Sequence, residues 1–296
     1  MATFGIDVSR WQGKFDFVKA KQEGVKFVIL RAGGADDGLY TDYMFVANYN
    51  AARAAGLAVG VYYYFDAYNT DQARTQVSHF LSIIRGKKFE YPAFADVEAD
   101  MADQPKAALD PIMRTILSGI ETGGYWAGWY AGLATYYWHV DGPALAARYS
   151  WWLPYWGSSK PKLDGIQMWQ FGGSTNYIRT NKVAGVVCDQ DYAYVDYPTL
   201  IKQRGKNGYP KTATPTPAPA PKPAPTPAKT LKPGAKIKLK ANATVYGTKK
   251  KFAAYVYANT YVVQAITGAK NDRVAFGPTE KGANTGAVAK GQITLV

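Results

Sequence analysis

The chain has 296 residues, of which 47% are hydrophobic and 15% aromatic, so it can bury the core of one large domain and a smaller one. Its single cysteine, Cys188, excludes an intrachain disulfide, and no apolar run is long enough to cross a membrane, so we expect no membrane insertion. Residues 1–204, 205–230 and 231–296 contribute 0, +4 and +9 to the net charge of +13. A basic C-terminal segment indicates an anionic partner, and charge alone fits nucleic acid and an anionic cell wall equally well.

Strand-like apolar runs alternate with amphipathic segments through residues 1–204. The predicted strands are residues 3–7, 26–31, 58–65, 92–97, 126–130, 150–155, 165–170 and 186–189, and the clearest helical patterns are 43–55, 71–85 and 105–122. About eight repeats in about 200 residues predict an α/β domain with a parallel sheet closed into an irregular (β/α)8-type barrel. The later connections are short, so we expect some helices to be reduced or absent.

The apolar run at residues 91–95 leads into two acids, Asp96 and Glu98. Residues two apart in a strand point to the same face, with Cα atoms roughly 6–7 Å apart. Two carboxylates held this close repel each other, so the pKa of at least one of them should rise. A raised carboxyl pKa suits a general acid, whereas the alternative is a solvated pair of loop residues.

Other acids are predicted at the ends of the first and last strands. Asp7 ends the first strand, and Asp189 and Asp191 end the last. Active sites of such barrels lie at the carboxyl ends of the strands, so these acids should meet Asp96 and Glu98 at one rim. The alternatives are a helix cap or turn for Asp7 and a loop-supporting role for Asp191.

Aromatic residues fall at strand ends as well. The candidates for packing against the C–H face of a sugar ring are Tyr62, Tyr64, Trp129 and Trp169. The alternative is that many of these rings pack in the core.

Several other chemistries find no support in the sequence. The two histidines, His79 and His139, lie in no metal-binding pattern, so we expect neither a metal site nor a cofactor. The Gly-rich segments match neither a phosphate loop nor a dinucleotide fingerprint. The first residues lead straight into a strand without the features of a signal peptide, which predicts synthesis in a cytoplasm and a separate route to any extracellular site.

Residues 212–230 alternate Pro with Ala, Thr and Lys and predict an extended spacer. We therefore predict a large domain over residues 1–204, a linker over 205–230 and a small domain over 231–296. In the small domain, residues 236–240, 244–246, 254–257, 261–263 and 273–276 are predicted to form short strands.

Residues 1–204 resemble the glycoside hydrolase family 25 lysozymes, the muramidases typical of phage endolysins and some bacterial autolysins. The matching segments occur in order along the domain: residues 5–13, 27–32, 60–65, 96–98, 169–171 and 188–191. The last segment, Cys-Asp-Gln-Asp, departs from the family's usual Val-Asp-Leu-Asn. We align Asp189 with the family's acid, and Asp191 is the alternative.

The resemblance implies hydrolysis of the β-1,4 bond between N-acetylmuramic acid and N-acetylglucosamine in peptidoglycan, and no cofactor. It implies that Glu98 is the general acid and that Asp96 orients or stabilises the reacting sugar, while Asp7 and Asp189 bind substrate and tune the pair. Direct attack by water with an aspartate as base is the alternative route. An endolysin would be made in the host cytoplasm and reach the wall by holin-dependent release.

The small domain is similar to SH3-like cell-wall-binding modules of bacteria, which implies a wall polymer as its ligand rather than nucleic acid. The run Lys249, Lys250 and Lys251 favours an anionic polymer, and a solubilising loop is the alternative. Two other functions remain open for the whole chain: a catalytically silent wall-binding protein, and a hydrolase of a related polymer such as chitin.

Overall fold

The computed structural model describes residues 2–211 and 230–296. Its contacts divide the chain into two compact units between residues 215 and 216. Most of the predicted proline-rich spacer, residues 212–229, lies outside the described residues.

The first unit alternates strands and helices. In chain order it contains β1 (Thr3–Val8), α1 (Phe17–Gln22), β2 (Phe27–Gly34), β3 (Tyr40–Thr41), α2 (Phe45–Ala54), β4 (Ala58–Tyr64), α3 (Thr70–Ile84), β5 (Ala93–Asp96), α4 (Ala99–Ala102), α5 (Lys106–Thr122), β6 (Ala127–Tyr130), α6 (Gly142–Arg148), β7 (Ser150–Pro154), β8 (Ile166–Gly172), β9 (Lys182–Val183), β10 (Val186–Val187), β11 (Asp189–Ala193) and α7 (Tyr197–Arg204). A 3-10 turn follows β1 at Arg10–Gln12, and a π-helical turn, Thr135–His139, follows β6.

Within the described residues of this unit, eight strands close into a barrel. The order around it is β1-β11-β8-β7-β6-β5-β4-β2, and β2 pairs with β1 to complete the circle. This confirms the predicted barrel and its first seven strands. No helix lies between β7 and β8 in residues 155–165, all of which the structure describes. Its absence agrees with the expectation that the short later connections reduce or remove some helices.

The prediction for the last strand is wrong in position and direction. Residues 186–187 pair with Lys182–Val183 in a separate hairpin, whose turn holds Ala184 and Gly185 at positive φ. The barrel strand starts only at Asp189 and runs antiparallel to both β1 and β8. Its amino end therefore lies at the rim where the parallel strands have their carboxyl ends.

Alternation along the strands separates two apolar cores. Outward-facing residues such as Val61, Ala95, Trp129 and Leu153 pack under the helices in the larger cluster. A smaller cluster fills the lower barrel interior and includes Ile29, Phe94, Trp152 and Met168. The rim above it is left for polar side chains.

Residues 205–211, which the sequence analysis assigned to the linker, pack against the barrel. Asn207 is fully buried; its side-chain amide donates to the Tyr91 carbonyl at 2.7 Å and its Oδ1 accepts from the Trp126 amide at 2.6 Å. The Tyr209 hydroxyl bonds to the Glu90 carboxylate. These contacts make this segment part of the first unit.

The second unit contains β12 (Lys236–Leu239), α8 (Ala254–Ala258), β13 (Tyr261–Thr267), β14 (Arg273–Gly277), β15 (Gly286–Ala289), the 3-10 turn Lys290–Gln292 and β16 (Ile293–Leu295). The strands form an antiparallel sheet in the order β15-β14-β13-β12-β16 around a small core. Two predictions differ: residues 254–257 are helical instead of extended, and residue 244 makes only an isolated bridge to Lys251. In the part of the chain that the structure describes, no helix has the length and apolar character needed to span a membrane.

Candidate active site

Asp96 and Glu98 lie at the carboxyl end of β5, where the sequence placed them. Asp96 is buried (5% exposed) and Glu98 is exposed. Burial, followed by the charge of Glu98 and a side-chain hydrogen bond with it, raises the pKa of Asp96 well above its usual value. The expected rise in the pKa of one member of the pair is therefore found, and that member is Asp96.

The backbone turns sharply immediately after Glu98. Glu98 is extended, with φ of −136° and ψ of −179°, and Ala99 has φ of +47°. A residue with a Cβ rarely adopts the left-handed region, which costs about 1–2 kcal/mol. The turn releases Glu98 from the strand into the open rim while Asp96 stays inside the barrel.

Asp7 ends β1 inside the same rim and is buried (6% exposed). Its Oδ2 accepts a hydrogen bond from Nε2 of Gln170 on β8 at 2.9 Å. Burial, and then the charges of Asp189 and Asp191, raise the pKa of Asp7 well above its usual value despite the hydrogen bond from Gln170. The structure thus brings Asp7 together with the other predicted acids.

Asp189 and Asp191 occupy different depths because β11 enters the barrel from the rim. Asp189 is opposite Asp7 in the β1–β11 register and is partly buried, and burial together with the charge of Glu98 raises its pKa to about 6. Asp191 is fully buried below it, and its Oδ1 accepts a hydrogen bond from Trp152 Nε1 at 2.8 Å. Burial raises the pKa of Asp191 well above its usual value. Of the two, Asp189 is therefore the one beside Glu98.

Strand register sets which side chains face the acids. Asp96 is in register with Tyr64 of β4 and with Tyr130 of β6, and Tyr130 is in register with Trp152 of β7. These side chains form one belt around the barrel interior. Arg31 of β2 adds a cation whose charge acts against the rise in the Asp96 pKa.

Tyr62 and Tyr64 lie on the same face of β4 and point into the barrel. The charges of Asp7 and Asp96 add to burial in raising the pKa of the Tyr62 hydroxyl, which places Tyr62 beside both acids. Burial and the charges of Asp96 and Glu98 raise the pKa of Tyr64 to about 12, and the Arg31 guanidinium lies 5.2 Å from the centre of its ring. Both hydroxyls therefore stay neutral donors near the site.

The structure corrects the prediction that Trp129 and Trp169 bind substrate. Trp129 is fully buried outside the barrel wall, stacked on Trp151 with ring centroids 5.4 Å apart. Trp169 is 3% exposed and its Nε1 donates to the Tyr155 carbonyl at 2.6 Å. Both side chains belong to the core beneath the outer layer.

The inward neighbours of these two tryptophans are the site residues that the sequence analysis missed. Tyr130 follows Trp129, and Gln170 follows Trp169, and the two bond to each other at 2.9 Å. A two-residue alternation is present in both segments, so the signal existed. Its phase becomes clear only when the register with Asp96 is known.

A cleft of about 420 Å³ opens beside Glu98. Its walls include Glu98, Ala99, Tyr130, Thr135 and Trp156. A sugar ring in this cleft would meet an exposed carboxylate and aromatic walls, which is the environment that acid-catalysed glycoside cleavage requires. No group of three or more His, Cys, Asp or Glu in residues 2–211 and 230–296 is arranged to hold a metal ion.

The family model for glycosyl hydrolases family 25 matches residues 6–179, which is more than half of the chain. The chain belongs to this family. The family 25 match includes Asp7, Asp96, Glu98 and Gln170, whereas Asp189 and Asp191 lie beyond its end.

Individual relatives agree with the family 25 assignment. Lysozyme M1 of Streptomyces globisporus is 29% identical over 199 residues, which is 63% of this chain, and the chain spans 65% of that protein's length. The bacterial lysozyme of Streptomyces coelicolor superposes with a TM-score of 0.56 at 21% identity, covering 70% of this chain and 97% of that one. The modular autolysin LytC of Streptococcus pneumoniae, solved with a synthetic peptidoglycan ligand, gives a TM-score of 0.55 at 18% identity over 65% of this chain and 47% of its own. At these identities the two structures show a shared fold.

Proposed function

We propose that this protein is a lysozyme that hydrolyses the β-1,4 bond between N-acetylmuramic acid and N-acetylglucosamine in peptidoglycan. The observation that carries the proposal is the Asp96–Glu98 pair, which buries one carboxyl group with a raised pKa and exposes the other in a cleft. Family membership and the similarity to lysozyme M1 support the substrate class. The surrounding acids, Asp7 and Asp189, would bind the sugar.

In the proposed mechanism a proton bound to Asp96 moves to Glu98 and then to the glycosidic oxygen. The bond from that oxygen to the anomeric carbon breaks, and positive charge develops on the sugar beside the Asp96 carboxylate that the transfer leaves. A water molecule adds its hydroxyl to the anomeric carbon and returns a proton to the carboxyls. Either the substrate's acetamido group or one aspartate assists this attack, and the anomeric form of the product distinguishes the two routes.

The proposal includes the second unit as a wall-binding module of SH3-like type. The net charge of +9 over residues 231–296 and the exposed lysines at 249–251 support an anionic wall polymer as ligand. Attachment to the wall would raise the local concentration of the active site near its substrate. The proposal also includes an endolysin role, with holin-dependent release from a host cytoplasm. The test is to express the protein in cells with and without a holin and to measure lysis of those cells.

Digestion of purified peptidoglycan by wild type and Glu98→Gln tests the activity. We expect the variant to release new reducing ends at least about 100-fold more slowly, since it cannot donate the proton. Asp103→Asn is the matched control. Asp103 is an exposed acid directly after α4, the short helix that begins directly after Glu98.

The identity of the new reducing end separates the alternatives. Muramic acid ends support the proposal, and glucosamine ends would contradict it. Faster turnover of chitin than of peptidoglycan would indicate the related-polymer hydrolase, and wall binding by the wild type without turnover would indicate a silent binding protein.

A further inference from the structure

The side chain of Gln170 connects three groups of the site. It is buried (3% exposed), and its Oε1 accepts hydrogen bonds from the Tyr130 hydroxyl at 2.9 Å and from Trp156 Nε1 at 3.0 Å. Its Nε2 donates to Asp7 Oδ2 at 2.9 Å. Both lone pairs of the amide oxygen are therefore used, and the amide nitrogen is directed at a carboxyl group.

Trp156 decides which way this amide points. A tyrosine hydroxyl can donate or accept, so Tyr130 accommodates either orientation of Gln170. An indole N–H can only donate, so Trp156 requires the amide oxygen on its side. The amide nitrogen must then face Asp7.

The fixed amide in turn makes Asp7 Oδ2 an acceptor, so that a proton bound to Asp7 resides on its other oxygen. Several groups besides Gln170 act on the Asp7 carboxyl. Strand β2 also pairs with β1, and the charge of its Arg31 acts on Asp96. The titratable groups that interact with Asp7 are Asp189 and Asp191 on β11, Asp96 on β5, Tyr62 on β4, Tyr130 on β6 and the adjacent Cys188. In this acidic surrounding, the Gln170 amide is the neighbour that lowers the pKa of Asp7 by donating a hydrogen bond.

Trp156 also lines the cleft beside Glu98, and 45% of its surface is exposed. One side chain thus contacts the space for the substrate with its ring and the Asp7 network with its N–H. We propose that Trp156 is a positioning residue, which holds the Gln170 amide in the orientation that keeps Asp7 a hydrogen-bond acceptor. This inference rests on the proposed function, since it assigns a role within that site.

The test removes the N–H and keeps an aromatic ring. In Trp156→Phe the Gln170 amide is free to turn its oxygen toward Asp7, which favours the protonated carboxyl. We expect the pKa of Asp7, followed by NMR of the 13C-labelled carboxyl carbons, to rise by about one unit. The acidic limb of the kcat/KM profile on peptidoglycan should move to higher pH by a similar amount.

Trp138→Phe is the matched control. Trp138 is 73% exposed on the π-helical turn, and its indole N–H makes no hydrogen bond to any described residue. This variant should leave the Asp7 titration and the pH profile unchanged. Equal behaviour of Trp156→Phe and Trp138→Phe would overturn the proposal.

A second background tests whether Trp156 acts through Gln170. In Gln170→Leu no amide remains to be oriented, so adding Trp156→Phe should produce no further shift in the Asp7 titration. A further shift of the full size would show that Trp156 acts directly on Asp7 and would contradict the inference. Absence of wild-type turnover would overturn the proposed function alone, because the NMR titration still decides the role of Trp156.

Discussion

At the scale of single residues, the acid pair illustrates how position along one strand assigns different chemistry to similar side chains. Asp96 is still within β5 and is buried from solvent, whereas Glu98 lies past the strand end and is exposed to solvent. The strained turn at Ala99 completes the separation.

The raised pKa of Asp96 predicts a dependence of stability on pH. Because the folded protein binds this proton more tightly than the unfolded chain, Asp96 costs no stability below about pH 4, and its cost grows as the pH rises toward its folded value. Asp96→Asn cannot ionise, so we expect it to be more stable than wild type at pH 8 by about 1–3 kcal/mol, with little difference at pH 4. Urea unfolding at both pH values measures this.

The same variant should lose activity, since an asparagine side chain at this position cannot release a proton to Glu98. Asp103→Asn again serves as control and should change neither stability nor activity. A stability gain of Asp96→Asn that is equal at pH 4 and pH 8 would show that the effect does not come from ionisation.

At the scale of elements, the barrel depends on close approach of its strands to interior rings. Gly128 of β6 faces Phe94 of β5, and a Cβ added at Gly128 would lie 2.4 Å from two ring carbons of Phe94 and 2.9 Å from the Ser150 carbonyl oxygen. The Phe94 ring and the backbone at Ser150 cannot both move away from this Cβ, so we expect a side chain at residue 128 to overpack the barrel interior.

Gly128→Ala should therefore lower the free energy of unfolding by about 1–3 kcal/mol. It should also reduce activity, because displacement of β6 moves Tyr130. Gly157→Ala is the matched control, since its added Cβ meets nothing within 4 Å. Thermal unfolding of both variants measures the difference, and equal melting temperatures would mean that the barrel relaxes around the added methyl group.

Sequence patterns predicted the elements of the barrel better than the faces of its strands. Apolar runs and turn residues locate β1, β2 and β4 to β8, because they report local burial. Which face of β6 or β8 points inward depends on pairing with Asp96 and Asp191. The sequence alone therefore favours Trp129 and Trp169 over Tyr130 and Gln170.

The remaining errors also have local causes. Ala184 adopts positive φ, a conformation that alanine rarely takes, so the hairpin before β11 escaped prediction. In the second unit, residues 254–258 alternate small and large apolar residues as a strand would. These residues instead form α8, and alanine has a high helix propensity. The Tyr257 hydroxyl of this helix donates a hydrogen bond to the Ala243 carbonyl at 2.7 Å, a tertiary contact.

At the scale of the whole molecule, charge is divided between the two units. Residues 1–204 are neutral in sum and keep their buried acids in the barrel, whereas residues 231–296 carry +9. Electrostatic attraction to an anionic polymer would therefore act mainly on the second unit.

The three exposed lysines at 249–251 lead up to the bridge between Thr244 and Lys251, with the exposed ring of Tyr255 shortly after them. Replacing the three lysines by Gln should weaken retention on isolated cell walls by roughly tenfold at low salt, because three charges near the polymer are lost. The loss should shrink as salt is added, since exposed charges are screened. Co-sedimentation with purified walls at several salt concentrations measures retention.

A matched triple substitution separates a defined binding surface from general charge. Lys236, Lys238 and Lys240 are exposed along or just after β12 in the same unit, so changing them to Gln removes the same net charge. If the loop lysines form the binding surface, the β12 variant retains most of its wall binding while the loop variant does not. Both should cleave soluble glycan fragments at the wild-type rate, because the acids of the barrel are untouched. Undiminished wall retention by the loop variant would contradict an anionic ligand at residues 249–251 and leave the lysines as a solubilising loop.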